Sequence, residues 1–199
     1  MTIGKLVKSN SHTDYICQVY GRGEVEKPPA PDEHAFGTFV RVPLGEGQAD
    51  LVGIIYDTVL HNPDFGNLGP RLSPASELEV FSPDYLTEKV TLVGITAVGT
   101  LAADGTATHG VPGLSAPIDT LMERMTDDAV RAFHRSGDGG VRMGYAPLLL
   151  GQGSPLARHL LLRIVEQLSR LFPDQAQRLA VLHHQWTWQT CIDPMGGGS

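Results

Sequence analysis

Eight histidines, two cysteines and the turn Gly151-Gln152-Gly153-Ser154 are the residues of this chain whose types offer chemistry, and their spacing decides which chemistry is open to them. His183 and His184 are adjacent, so on a helix they point about 100° apart and do not share a metal as an i, i+4 pair does. His134 and His159 stand alone on separate predicted helices. A metal site therefore has to be assembled from distant loops, for instance from His34, His61 and Asp64. Cys17 and Cys191 lie near opposite ends with no CxxC pair, which reads as ordinary thiols. The glycine-rich turn lacks the Lys that GxxxxGK[ST] requires, so the chain is no self-sufficient P-loop ATPase. Its N–H groups could serve an anion at a helix start, but Ser154 as an ordinary cap explains the same residues. Ser73, Ser115 and Ser154 lie in no GxSxG elbow. No catalytic, metal-ligating or cofactor-binding residue is assigned, and no cofactor is expected.

Contact chemistry is better represented. Trp186 and Trp188 are flanked by Gln185 and Gln189. On a continuous helix one indole faces the core and the other lies well round the surface, where an exposed Trp anchors protein interfaces. The alternative is that both close the hydrophobic core. Two long Pro- and Gly-interrupted loops, residues 21–34 and 61–74, supply further contact positions, since loops carry function more often than scaffolds do; simple tolerance of insertions accounts for them equally well. The candidate contact residues are Trp186, Trp188, Arg158, His61 and Phe65.

The elements that must hold these residues change character along the chain. From Ile3 the sequence reads as short strands: Ile3 to Lys8, Tyr15 to Tyr20, Thr38 to Pro43, Asp50 to Val59 and Val90 to Gly99. Approximate period-two alternation in Tyr15-Ile16-Cys17-Gln18-Val19-Tyr20 and Phe39-Val40-Arg41-Val42 gives each one inward face. Asp104-Gly105, a favoured tight-turn dipeptide, sits between Thr100 to Ala102 and Thr106 to His109 and predicts a hairpin closing a barrel. Short strands with no helix between them argue for an antiparallel barrel or sandwich.

After Pro112, Gly113 and Pro117 the pattern becomes helical. Thr126 caps a helix that opens with Asp127 and Asp128 and is ended by Ser136 to Gly140. The strongest helix is predicted to begin at Ser154, with Pro155 in its first turn and Leu160, Ile164, Leu168 and Leu171 on one stripe, and to stop at Pro173. Asp174 caps a last helix with Leu179, Leu182 and Trp186 on one buried face, and the final pair can pack antiparallel. The predicted class is α+β: an antiparallel β-barrel over 1–112, a small helical region over 113–192 and a flexible tail over 193–199.

Composition narrows the function classes. Hydrophobic residues make up 41% and charged residues 19%, the balance of a folded chain. No stretch reaches the ~18 to 20 apolar residues of a bilayer span and Met1 to Lys8 lacks a signal peptide's apolar segment, so a cytoplasmic location without membrane association is expected. Residues 1–110 carry seven Lys and Arg against fourteen Asp and Glu, whereas residues 111–199 carry eight of each, with every cation an Arg. An acidic barrel repels nucleic acid unless its few cations gather on one face.

Ile3-Gly4-Lys5-Leu6-Val7, Tyr15-Ile16-Cys17-Gln18-Val19, Gly37-Thr38-Phe39-Val40-Arg41-Val42 and Leu51-Val52-Gly53-Ile54-Ile55 together resemble the HAS barrel of HerA-type ATPases and the ATP synthase. In that family a strand pair leads into a GxFVxV strand and then an xVGxV strand; the order and spacing agree over about the first 110 residues. HerA-type proteins continue into an ATPase core with a Walker A loop, and here the chain departs from them. The resemblance implies a barrel for ring assembly and docking of a companion nuclease. The leading expectation is therefore a non-catalytic assembly or regulatory module, a partner of a HerA-like ATPase, a nuclease or another DNA-processing complex, or of copies of itself as a homo-oligomer. The alternatives are a small barrel that binds single-stranded nucleic acid in a groove, and an enzyme with a site built from the two long loops.

Overall fold

Period-two alternation along the early strands demands a partner for each inward face, and the chain meets the demand by curling its sheet into a ring. The structure, a computed structural model, describes residues 1–61, 90–137 and 139–192. Its strands are β1 (Thr2–Ser9), β2 (Asp14–Val19), β3 (Phe39–Val42), β4 (Asp50–His61), β5 (Val90–Leu101), β6 (Ala107–His109) and β7 (Leu121–Arg124). The order β2-β1-β7-β3-β4-β5 closes through an added β2–β5 pairing, so six antiparallel strands form a barrel. Ile3, Leu6, Tyr15, Cys17, Val40, Val42, Leu51, Ile55, Val93, Ile95 and Met122 fill its interior.

The predicted hairpin forms at Asp104-Gly105, but it does not close the barrel. β6 pairs only with the end of β5, beyond the stretch of β5 that pairs with β2. Closure falls instead to β7, which pairs with both β1 and β3 and lies beyond residue 112, where the sequence reading ends the barrel. Four residues with no turn dipeptide beside them carry too little pattern to be read as a strand in advance; they are strand because two unpaired edges await them.

Among the described residues four α-helices follow: α1 (Asp127–His134), α2 (Ala146–Gly151), α3 (Ala157–Leu171) and α4 (Ala176–Ile192). Thr126 caps α1, its Oγ1 accepting the Ala129 N–H at 3.2 Å. α3 starts later than predicted. Gly153, at φ 68°, and Pro155 form a turn in which Ser154 Oγ accepts from Leu156 N–H, and the helix begins at Ala157 without a side-chain cap. Likewise Pro173–Gln175 makes a 3-10 turn and α4 begins at Ala176, so Asp174 precedes the helix rather than capping it directly. α3 and α4, joined by this short turn, pack as an antiparallel pair, with His183 Nε2 3.7 Å from Glu166 Oε1.

The helices lie against the outside of their own barrel. Phe39, Val52, Ile54 and Val98 point away from the interior and form one cluster with Val130, Phe133, Tyr145, Leu149, Leu160, Leu161, Ile164, Val165 and Leu168. β4 and β5 are consequently buried on both faces, and space there is tight. A Cβ on Gly53 would stand 2.5 Å from Ile95 Cγ2, and one on Gly4 would run into the Gln18 carbonyl on the neighbouring strand. Gly4→Ala is therefore expected to destabilise the fold by about 2 to 3 kcal/mol through backbone displacement. Gly113→Ala, with nothing within 4 Å of the added methyl, should be near neutral. Denaturant midpoints of the two variants against the parent check this.

Candidate functional site

The residues singled out for contact fall on different parts of the fold. Trp186 packs partly buried against the helix–barrel cluster, whereas Trp188 is 69% exposed, so the indoles diverge as their spacing requires. Arg158, half-buried in the first turn of α3, belongs to the same end of the antiparallel pair as the two Trp residues. His61 ends β4, opposite Val90, on an exposed ribbon that also carries Val59 and Leu60. Phe65, Asp64 and Ser73 lie outside the described residues, as does the predicted tail 193–199. Among the described residues no group of three His, Cys, Asp or Glu side chains is placed to hold a metal ion, and no helix is long and apolar enough to cross a membrane. Cys17 is buried inside the barrel, where loss of hydration pushes its thiol up to about 12 and keeps it protonated. At the turn Gly151-Gln152-Gly153, Gln152 reaches back to donate from Nε2 to Thr96 Oγ1 at 2.9 Å, satisfying a buried hydroxyl on β5.

The concentration of titratable chemistry is where the helices meet the barrel, at two histidines the sequence does not pair. His134, fully buried on α1, donates from Nδ1 to the Val130 carbonyl at 2.8 Å and accepts at Nε2 from the Tyr145 hydroxyl at 2.7 Å. His109 on β6 donates from Nε2 to the Phe133 carbonyl at 2.8 Å and accepts at Nδ1 from the Gly144 N–H at 3.0 Å. Both rings are thereby neutral, and in opposite tautomers. Phe39, Phe133 and Tyr145 surround them edge-on and face-on, with ring centroids 4.3 to 6.4 Å apart. Burial drives His134 down to about 3, with the His109 ring and the Arg142 guanidinium adding to the effect, and lowers His109 for the same first reason. Arg142 is itself fixed, donating from Nη2 to the Ala107 carbonyl at 2.8 Å. A proton on His109 Nδ1 would confront the Gly144 N–H with a second donor. This constellation holds α1 and the segment before α2 onto β6 as a fastening between layers.

An open groove of about 590 Å³ runs beside α1, lined by Gly105, Asp128, Arg131, Arg135 and Ser136 among others. Arg131 in it is committed, with Nη1 2.7 Å from Asp128 Oδ1 and Nε donating to the Leu171 carbonyl at 3.2 Å.

One family, described as Domain of unknown function (DUF8166), matches residues 1–195, a span that takes in barrel and helices as one unit. No curated protein matches the chain.

The histidine fastening has a pH signature. A histidine held neutral in the folded state has its folded value below the unfolded one of about 6.5, so the unfolded chain binds the proton first. The stability contributed by that neutrality is complete above about pH 6.5 and is lost as pH falls toward the folded value. His134 alone should remove about 1 to 1.5 kcal/mol between pH 7.5 and 5.5, a window in which unperturbed carboxylates stay ionised. Denaturant unfolding at the two pH values reads the loss, and His109→Gln should reduce the pH sensitivity.

Proposed function

We propose for this chain, which belongs to the family described as Domain of unknown function (DUF8166), the role of a non-catalytic assembly or regulatory module that docks on a HerA-like ATPase or another DNA-processing complex. The observation that carries this reading is the arrangement of the strands on which the resemblance rests. Phe39–Val42 and Leu51–Ile54 are neighbouring antiparallel strands of a closed six-stranded barrel, in the register Phe39 to Ile54 and Val40 to Gly53. The glycine of the Val52-Gly53-Ile54 triplet sits where a side chain would strike Ile95, which gives the motif a steric reason.

Two further features support a docking role. These 199 residues contain no Walker A motif, so they supply contacts rather than a motor of their own. The helices cover only part of the barrel wall, and the ribbon at the end of β4 leaves Val59 and Leu60 exposed beside the polar Asp57, Thr58 and His61, the mixture of an apolar anchor with a wet rim found at protein interfaces. Two cations on the barrel wall are ion-paired within the chain: Arg41 Nη2 lies 2.6 Å from Glu123 Oε2, and Lys5 Nζ 3.4 Å from Asp119 Oδ1. They are not held ready for phosphates, which favours a protein partner over nucleic acid.

Affinity capture of the tagged full chain from its native host, followed by mass spectrometry, tests the reading. An ATPase or nuclease should co-purify with the parent and be lost from Val59→Glu/Leu60→Glu. Recovery of neither enzyme by the folded parent overturns it.

A further inference from the structure

Residues 141–153, which contain α2, cross the outside of the barrel as a lightly seated strap. Gly139 at φ 82° and Gly153 at φ 68° bound it, both in the left-handed region that glycine enters without steric cost. Within the strap Tyr145 and Leu149 alone are buried, against seven buried residues in α3. A segment that buries so little and turns on such residues opens at a lower free energy than the whole fold. Polar attachments supply the rest of its hold. Gly144 N–H donates to His109 Nδ1 at 3.0 Å and the Tyr145 hydroxyl to His134 Nε2 at 2.7 Å. Arg142 donates from its N–H to the His134 carbonyl and from Nη2 to the Ala107 carbonyl, both at 2.8 Å, and Gln152 Nε2 donates to Thr96 Oγ1 at 2.9 Å. Two of these bonds end on an imidazole nitrogen, which accepts while its ring is neutral and at no other time.

Each ring has its second bond to an α1 carbonyl, His109 Nε2 to Phe133 and His134 Nδ1 to Val130. Lifting the strap therefore bares one nitrogen on each ring, His109 Nδ1 and His134 Nε2, and leaves the bonds that position the rings in place. We propose that residues 141–153 form an acid-released strap: its closed seat requires both histidines neutral, and a proton on either bared nitrogen holds it open while the barrel, α1 and the α3–α4 pair stay folded. The groups facing the two rings all oppose a proton in the closed seat. His109 comes from β6, His134 from α1, Arg142 and Tyr145 from the strap and the apolar Phe39 from β3, and among the described residues no carboxylate bonds to either ring. Opening carries the Arg142 guanidinium away and takes the Tyr145 ring off Phe39 and Phe133, so that this part of the wall, with the Thr96 hydroxyl, is covered at neutral pH and accessible in acid.

This device goes beyond the docking role proposed above and stands without it. Both rings are harder to protonate in the closed seat than at the ordinary value of about 6.5, so closure is complete above about pH 6.5 and weakens as pH falls. Between pH 7.5 and 5.5 His134 alone should raise the opening constant about tenfold, and His109 should add to it. Native-state hydrogen exchange of the full chain, corrected for intrinsic rates, measures this at the Arg142, Gly144 and Leu149 amides of the strap and the Ile55 and Ala97 amides of the barrel. The strap amides should be at least about tenfold less protected than the barrel amides at both pH values, and their opening constant should rise more than about tenfold in acid. His109→Gln, whose amide can donate and accept but takes up no proton, should reduce that rise to the share of His134. Gln152→Ala should open the strap several-fold more at both pH values and leave the ratio between them unchanged. Strap amides as protected as the barrel, an opening constant indifferent to pH, or a His109→Gln response equal to the parent's overturns the proposal.

Discussion

Burial of β4 and β5 on both faces is the constraint from which the rest of the architecture follows. Antiparallel strands ordinarily keep one face wet. Here Leu51, Ile55, Val93 and Ile95 fill the barrel while Val52, Ile54 and Val98, one residue out of phase, meet the helices. The helical layer is thus the second half of the barrel's core. Without α1 and α3, Phe39, Val52, Ile54 and Val98 would form a contiguous apolar patch on the barrel wall, so barrel and helices constitute one folding unit despite their different sequence patterns. The glycines of β1 and β4 obey the same constraint, since neighbouring strands approach where any side chain would intrude.

Polar groups caught between the layers are all accounted for: among the described residues no buried side-chain nitrogen or oxygen lacks a partner. Gln152 reaches Thr96, Tyr145 serves His134, and His109 bridges a helix carbonyl and a loop amide. A buried unpaired group costs more than the bond itself contributes, so these contacts select one seating of the helices over others of equal apolar area. The tautomers extend that selection, because each ring nitrogen has a role that the other cannot fill.

Much of this was legible in the residues themselves. The β-runs appear within a residue or two at most ends, because alternation and turn dipeptides are local signals. Thr126 with Asp127 and Asp128 marked the start of α1, and the stripe Leu160, Ile164, Leu168 and Leu171 is buried as its spacing indicates. The divergence of Trp186 and Trp188 also followed from helical geometry. Other features depend on distant partners and left no local trace. Leu121–Arg124 is strand only because β1 and β3 need it. The starts of α3 and α4 shifted because Gly153-Ser154-Pro155 and Pro173-Asp174-Gln175 settle into turns ahead of the helices. His109 and His134 lie 25 positions apart on a strand and a helix, and neither sits in a recognisable motif.

The way the ring is completed bears on how the molecule is made. β1 waits for β7, and their pairing joins Thr2 to Glu123 across nearly the whole β-region. As the polypeptide leaves the ribosome, β1 and β3 must therefore persist with unsatisfied edges until residue 124 has emerged, and the outward faces of β4 and β5 stay bare until α3 follows. Long-range closure of this kind makes for slow maturation and a window in which nascent chains can pair edge to edge with one another. The last and least conspicuous strand of the barrel thus sets the interval during which the newborn chain has most need of a chaperone.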